Sequence, residues 1–162
     1  MLTVVCERPA NDSTTQYDPL MLVKGGPDVL FPSCTDVLRA DGRVTPLDRV
    51  VLQQLSALQA EWSSQGQRVL ALCMRTLNAF KVDPQYISAN HMEDLMYSEL
   101  QNNLTLVGLV GIRDPPRSSV EGAIHVIKRA GVKVFMVTGD FKLTAVAIAK
   151  QVCRRSSCYH NC

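Results

Sequence analysis

An apolar run of nine residues, LTLVGLVGI (104–112), stops at Arg-Asp-Pro-Pro-Arg (113–117). Two consecutive prolines cannot continue a strand, because neither has an N–H to donate and each restrains the residue before it. A stiff junction is therefore expected there. Beyond it, Val120, Ala123, Ile124 and Ile127 recur at helical steps up to Gly131, and a second apolar run, VKVFMV (132–137), opens onto Thr138-Gly139-Asp140. Strand, helix and strand in that order predict a right-handed βαβ unit of a parallel sheet, with both strands buried.

In open parallel sheets, ligands collect beyond the carboxyl ends of the strands, where loop amides and the next helix N-terminus can hold an anion. Thr138, Gly139 and Asp140 fall at that place. A hydroxyl donor, a residue without a side chain and Thr144 in the following helix would suit a phosphate. Spacing alone leaves two readings open, a phosphate seat and an ordinary strand-to-helix turn.

Upstream, YDPLMLVKGGPDVLF (17–31) reads as a strand, a tight Gly-Gly turn and a short helix with Pro27 at its first position. Lys24 ends that strand beside Gly25, where composition alone supports no more than a surface lysine. The clearest helix lies within 44–66, with Thr45 as its cap, Pro46 at its first position and Gly66 closing it. Leu47, Val51, Leu55, Leu58 and Trp62 form its inward stripe. QRVLALCMRTL (67–77) reads as a strand buried on both sides, with Arg68 at its entrance, a position where a solvated charge is common. NHMEDLMYSEL (90–100) reads as a short helix.

Composition narrows the functions. Among 162 residues, 46% hydrophobic content supports a core, and 17 Lys/Arg against 15 Asp/Glu give a net charge of only +2. No broad basic field is available for nucleic acid, so any anion must be held locally. The 104–112 run is about half of the ~20 residues a membrane-spanning helix requires. LTVVCERP (2–9) lacks the basic start and long apolar stretch of a signal peptide, so the expected location of this chain is the cytosol. No G-x-x-x-x-G-K-[ST] loop is present, which excludes a P-loop site. Cys6, Cys34 and Cys73 are spaced as isolated core thiols. Cys153, Cys158, His160 and Cys162 crowd the tail at a spacing that fits no familiar zinc finger, and no metal site is expected there.

Taken in order, LVKGGPDVLFPSC, GQRVLALC and LVGLVGIRDPPRSSVEGAIHVIKRAGVKVFMVTGDFKLTAVAIAKQV resemble the P-type cation-transporting ATPases, in particular the sodium/potassium and proton/potassium pump branch. The resemblance runs from about residue 1 to 152. It implies an α+β fold for 1–113, the C-terminal part of a nucleotide-binding domain. A hinge at 114–117 follows, then an incomplete α/β, haloacid-dehalogenase-like parallel-sheet portion at 118–152 and a divergent tail at 153–162. It also implies ATP as ligand, with Mg2+ in the intact parent. The other pump domains and membrane helices would be partners, with this region on the cytoplasmic side, most naturally of a plasma membrane.

By the same resemblance, Lys24 and Gly25 lie beside the adenine and Arg68 reaches toward the phosphates. Asp114 and Arg117 belong to the D-P-P-R hinge. Thr138 and Gly139 hold the transferred phosphoryl group while Asp140 orders the site. Departures are Gly26 and Asp28 where the family has alanine and glutamate, and Phe141-Lys142 where this branch commonly has His-Pro. The family's D-K-T-G-T nucleophile and G-D-G-x-N-D motif do not occur in these 162 residues, so the chain alone is expected to be inactive in ATP hydrolysis. The alternative is a stand-alone nucleotide-binding or regulatory module without catalysis. A soluble phosphatase of the dehalogenase type would need an aspartate nucleophile at an earlier strand end, and the sequence supplies no candidate.

Overall fold

A six-stranded sheet in the order β1-β2-β5-β6-β3-β4 dominates the structure, a computed structural model that describes residues 2–8, 18–77, 94, 98 and 103–153. Its strands are β1 (Leu2–Arg8), β2 (Asp18–Gly25), β3 (Cys34–Leu38), β4 (Val44–Pro46), β5 (Arg68–Thr76) and β6 (Leu104–Ile112). The helices are α1 (Pro27–Leu30), α2 (Arg49–Ser64), α3 (Ser119–Arg129) and α4 (Lys142–Val152). The chain divides into two packed units, one of residues 1–56 and 70–110 and one of 57–69 and 111–162. Among the described residues, no helix is long and apolar enough to cross a membrane.

In the first unit, β2 pairs antiparallel with β1 and β5, β3 pairs antiparallel with β4, and β3 runs parallel to β6. Met21 and Val23 of β2, Ala71 and Cys73 of β5, Leu104 and Leu106 of β6, Val37 of β3, Leu30 of α1 and Phe31 just beyond it form one apolar cluster. Leu47, Leu52 and Leu55 pack against it. The strand-turn-helix expected over 17–31 is present: β2 ends at Gly25, Gly26 precedes the helix and Pro27 is its first residue.

Three expectations for this part are corrected. The helix begins at Arg49, and Thr45 and Pro46 belong to β4. Asp41-Gly42, with Gly42 at φ +82°, turns the chain back so that 44–46 pair with 36–38, and Pro46 is tolerated on the outermost strand. Asp48 caps the helix instead, its carboxylate accepting the Val51 N–H at 2.8 Å. Strand β5 buries Val69, Ala71 and Cys73 but leaves Leu70, Leu72 and Met74 half-buried, so only one of its faces is fully covered. Strand β6 is buried at Leu104 and Leu106 and exposed from Val110 onward, contrary to the expectation of burial throughout. Of the helix expected over 90–100, Asp94 and Ser98 are described and helical, and the rest lies outside the described residues.

The second unit contains the end of α2, the entrance of β5, α3 and α4. Gly66 terminates α2 as expected: at φ +82° it donates to the Ser63 carbonyl, and Gln67 N–H reaches the Trp62 carbonyl at 3.1 Å. These two bonds satisfy the last turn of the helix. Gly131 (φ +78°) ends α3 with the same pair of bonds, to Lys128 and Ile127. The apolar stripe assigned to α3 is only half covered at Val120 and Ile124, while Ala123 and Ile127 are exposed.

The strand predicted at 132–137 is not formed. These residues pair with no strand among those described, and Phe135 and Val137 are 81% and 95% exposed. A parallel strand is stable only when neighbours satisfy its N–H and C=O groups and helices cover its faces. The βαβ unit is thus present here as a helix followed by an unpaired apolar segment.

Candidate functional site

Two sequence segments 72 residues apart meet in the second unit. Arg68, the first residue of β5, donates through Nε to Asp140 Oδ1 at 2.6 Å and through Nη2 to Asp140 Oδ2 at 3.1 Å. This two-pronged fit matches a planar guanidinium to a carboxylate, and would match a phosphate equally. Period-2 geometry explains the placement, since Val69, Ala71 and Cys73 turn into the core and Arg68 therefore turns outward.

The loop carrying Asp140 is shaped locally. The Asp140 N–H donates to Thr138 Oγ1 at 3.1 Å, folding 138–140 into a small turn before α4 begins at Lys142. Thr138 and Gly139 are exposed, whereas Asp140 is half-buried. A Cβ added to Gly139 would meet nothing within 4 Å, and its φ is not in the left-handed region. Protein packing therefore does not demand glycine at 139.

Helix α4 is seated against the turn that precedes Arg68. Thr144, 1% exposed, donates its hydroxyl to the Gln67 carbonyl at 2.9 Å, and a side chain at Gly66 would come within 2.9 Å of Gln151 Nε2. Sequence alone groups Thr144 with the positive end of the helix it stands in. Its hydroxyl is committed to the Gln67 backbone carbonyl, which seats the start of that helix beside Arg68. Helical spacing could have signalled this, because Thr144 lies one turn before Ile148 on the face turned to Gly66.

Electrostatics follow from these contacts. The Arg68 guanidinium holds the Asp140 carboxyl below the usual aspartate range, partial burial opposes this, and the Thr138 hydroxyl adds a smaller push in the same direction. Arg68 is correspondingly raised, first by Asp140 and more weakly by the charge of Asp114. Arg117 is exposed at the end of the D-P-P-R stretch. Lys24 and Gly25 belong to the first unit, where Lys24 is exposed opposite Leu72 and Gly25 is buried opposite Ala71.

The sign of the pH dependence is set by the lowered carboxyl. Stabilisation from the pair is complete above the unfolded aspartate value of about 3.9 and disappears as pH falls through the lower folded value. With 61% of the Arg68 side chain in water, the pair is expected to contribute about 0.5–1 kcal/mol, less at high salt. Urea unfolding of the chain and of Arg68→Gln should differ by that amount near neutrality and converge in acid. A gap that persists unchanged below the carboxylate range would show that the pair is not its source.

Among known proteins, residues 1–119 match the family described as P-type ATPase, cytoplasmic domain N. The chain is 36% identical over 133 residues to the endoplasmic reticulum calcium ATPase srcA of Aspergillus fumigatus, covering 82% of this chain and 13% of that protein. It is 37% identical over 139 residues to a calcium-transporting ATPase of Listeria monocytogenes, covering 86% and 14%. To the potassium-transporting ATPase alpha chain 2 of Oryctolagus cuniculus it is 36% identical over 133 residues, covering 82% and 12%. It thus spans roughly an eighth of the length of these relatives. A family match over most of the chain, together with these identities, establishes that the chain belongs to the P-type ATPases.

Proposed function

We propose that this chain is the ATP-binding cytosolic portion of a P-type cation pump, in which Arg68, Thr138, Gly139 and Asp140 carry the phosphate-binding role and Lys24 and Gly25, by their match to the family's motif, the adenine-binding role. The observation that carries the reading is the pairing of Arg68 with the Asp140 carboxylate, which brings a guanidinium from a distant segment to the Thr138-Gly139-Asp140 loop. A cation is held there against negative charge, and a phosphoryl oxygen offers it the same charge-assisted pairing as the carboxylate it would share or displace. Asp114 and Arg117 then mark the hinge between the nucleotide-binding portion, 1–113, and a haloacid-dehalogenase-like portion beginning at 118.

The aspartyl-phosphate chemistry and the coupling to cation transport belong to the longer parent. With no D-K-T-G-T in these residues, the chain alone binds nucleotide without hydrolysing it. Mg2+ would enter with the ATP phosphates. Among the described residues no group of three or more His, Cys, Asp or Glu could hold a metal ion, so none is assigned to it. The finer placement in the sodium/potassium and proton/potassium branch, with its plasma-membrane location, rests on the wording of the motifs. Calcium-transporting relatives are equally similar, and the transported ion is not assigned.

Calorimetric titration of the purified chain tests the reading. Arg68→Ala removes a charge-assisted contact of about 1.5–3 kcal/mol and is expected to weaken ATP roughly 10–100-fold while leaving adenosine unchanged. Lys24→Ala should weaken both. Absence of ATP binding by the unmodified chain, or equal losses for ATP and adenosine in Arg68→Ala, would contradict the assignment.

A further inference from the structure

We propose that Cys34 and Cys73 form a redox-active dithiol that closes to a disulfide within the first unit. Their sulfurs lie 3.6 Å apart, and the Cys34 thiol also reaches the Leu30 carbonyl at 3.2 Å. With the Cys34 hydrogen on Leu30, the hydrogen between the two sulfurs comes from Cys73. Both are free thiols, Cys34 half-buried and Cys73 2% exposed. One is therefore accessible to a small oxidant, while the other is screened from it and already in contact with the first.

Closing the bond brings the sulfurs from 3.6 Å to about 2.05 Å. Strand β6 lies between β5 and β3, so the movement must come at an end of the sheet where the ladder is not rigid. Cys34 satisfies this: it is the first residue of β3, follows a 3-10 turn (Phe31–Ser33) and precedes a register irregularity between Cys34 and Asp36. The Cys73 hydrogen bond lowers the Cys34 pKa despite partial burial, while Cys73 is pushed up by that same bond and by burial. Exposure assigns the roles, in the direction these shifts also favour: the half-buried Cys34 meets the oxidant and the buried Cys73 resolves.

The chemistry balances with a hydroperoxide as oxidant. Cys34 gives up its thiol proton and its sulfur attacks one peroxide oxygen; the O–O bond breaks, the departing oxygen takes the proton and leaves as water or an alcohol, and a sulfenic acid remains on Cys34. Cys73 sulfur then attacks the Cys34 sulfur, the S–O bond breaks, and water leaves with the Cys73 proton. A thiol reductant reverses the bond. The link joins a residue opposite Val23, immediately before Lys24, to one hydrogen-bonded to the last residue of α1, so it ties together both sides of the Lys24 turn.

Peptide mapping of the full chain after brief hydrogen peroxide treatment and alkylation tests this. The expected product is a Cys34–Cys73 linked peptide that disappears on reduction, forms faster in native buffer than in urea, and is replaced in Cys73→Ser by a dimedone-trappable sulfenic acid at Cys34. Recovery of both residues as alkylated thiols would overturn the proposal. So would a linked peptide no more abundant in native buffer than among the random pairs formed in urea.

Discussion

On the proposed role of Thr138, Thr138→Ala in a complete pump is expected to slow phosphoryl transfer roughly 10²–10³-fold, the cost of removing one preorganised donor, about 2.7–4 kcal/mol. The donor is already held in place. Thr138 Oγ1 accepts the Asp140 N–H at 3.1 Å, which fixes its rotamer, and its hydroxyl helps keep the neighbouring carboxylate ionised. Because its oxygen accepts that N–H, the hydroxyl keeps its own hydrogen to donate where charge develops on a phosphoryl oxygen. The residue is exposed, so its loss should alter stability by no more than about 0.5 kcal/mol. Thr138→Ser keeps the donor and should retain most of the rate. Single-turnover rapid quench of phosphoenzyme formation and decay separates these outcomes, and a Thr138→Ala pump with an unchanged phosphorylation cycle would remove Thr138 from the site.

The sequence was most legible where backbone chemistry is explicit. Pro27 after two glycines placed a helix start, and Gly66 and Gly131 placed two helix ends, because these residues act through φ and the missing N–H regardless of distant contacts. It was least legible where pairing decides. Strands β1, β3 and β4 were not anticipated: β3 is five residues long with Thr35 and Asp36 inside it, and β4 is three residues ending in a proline. Such segments carry little alternation and become strands because a neighbour supplies the ladder. The same dependence produced the opposite error at 132–137, where the apolar pattern of a buried strand is complete but no partner strand is present among the described residues.

The candidate site shows that limit at the level of single residues. Lys24, Arg68 and the Thr138-Gly139-Asp140 loop could each be named from motif order, yet nothing local to residue 68 says that its partner lies at 140. That pairing is produced by Thr144 on the Gln67 carbonyl and by the absence of a side chain at Gly66, two contacts between segments distant in the chain. Motifs identify which groups carry charge; packing decides which of them meet.

Leu106→Ala should destabilise the first unit by about 2–5 kcal/mol, the range for emptying a buried leucine site. Leu106 is 0% exposed, stands on β6 opposite Val37 of the parallel strand β3, and lies in the same cluster as Met21 and Val23 of β2. A cavity there cannot collapse easily, because strands on both sides of β6 hold the backbone in register. Against a total stability of about 5–15 kcal/mol for an ordinary domain, the loss is large enough to lower the urea midpoint clearly at unchanged m-value. Leu106→Met, which conserves volume, should cost under about 1.5 kcal/mol. The substitution also separates support of the sheet from contact with ligand. Lys24 is carried on β2 and is not itself altered, so on its proposed adenine role any loss of ATP binding by Leu106→Ala should appear as fewer competent molecules, with the Kd of those that remain unchanged. A midpoint shift no larger than that of Leu106→Met would mean that this cluster is not what holds β2, β5, β6 and β3 together.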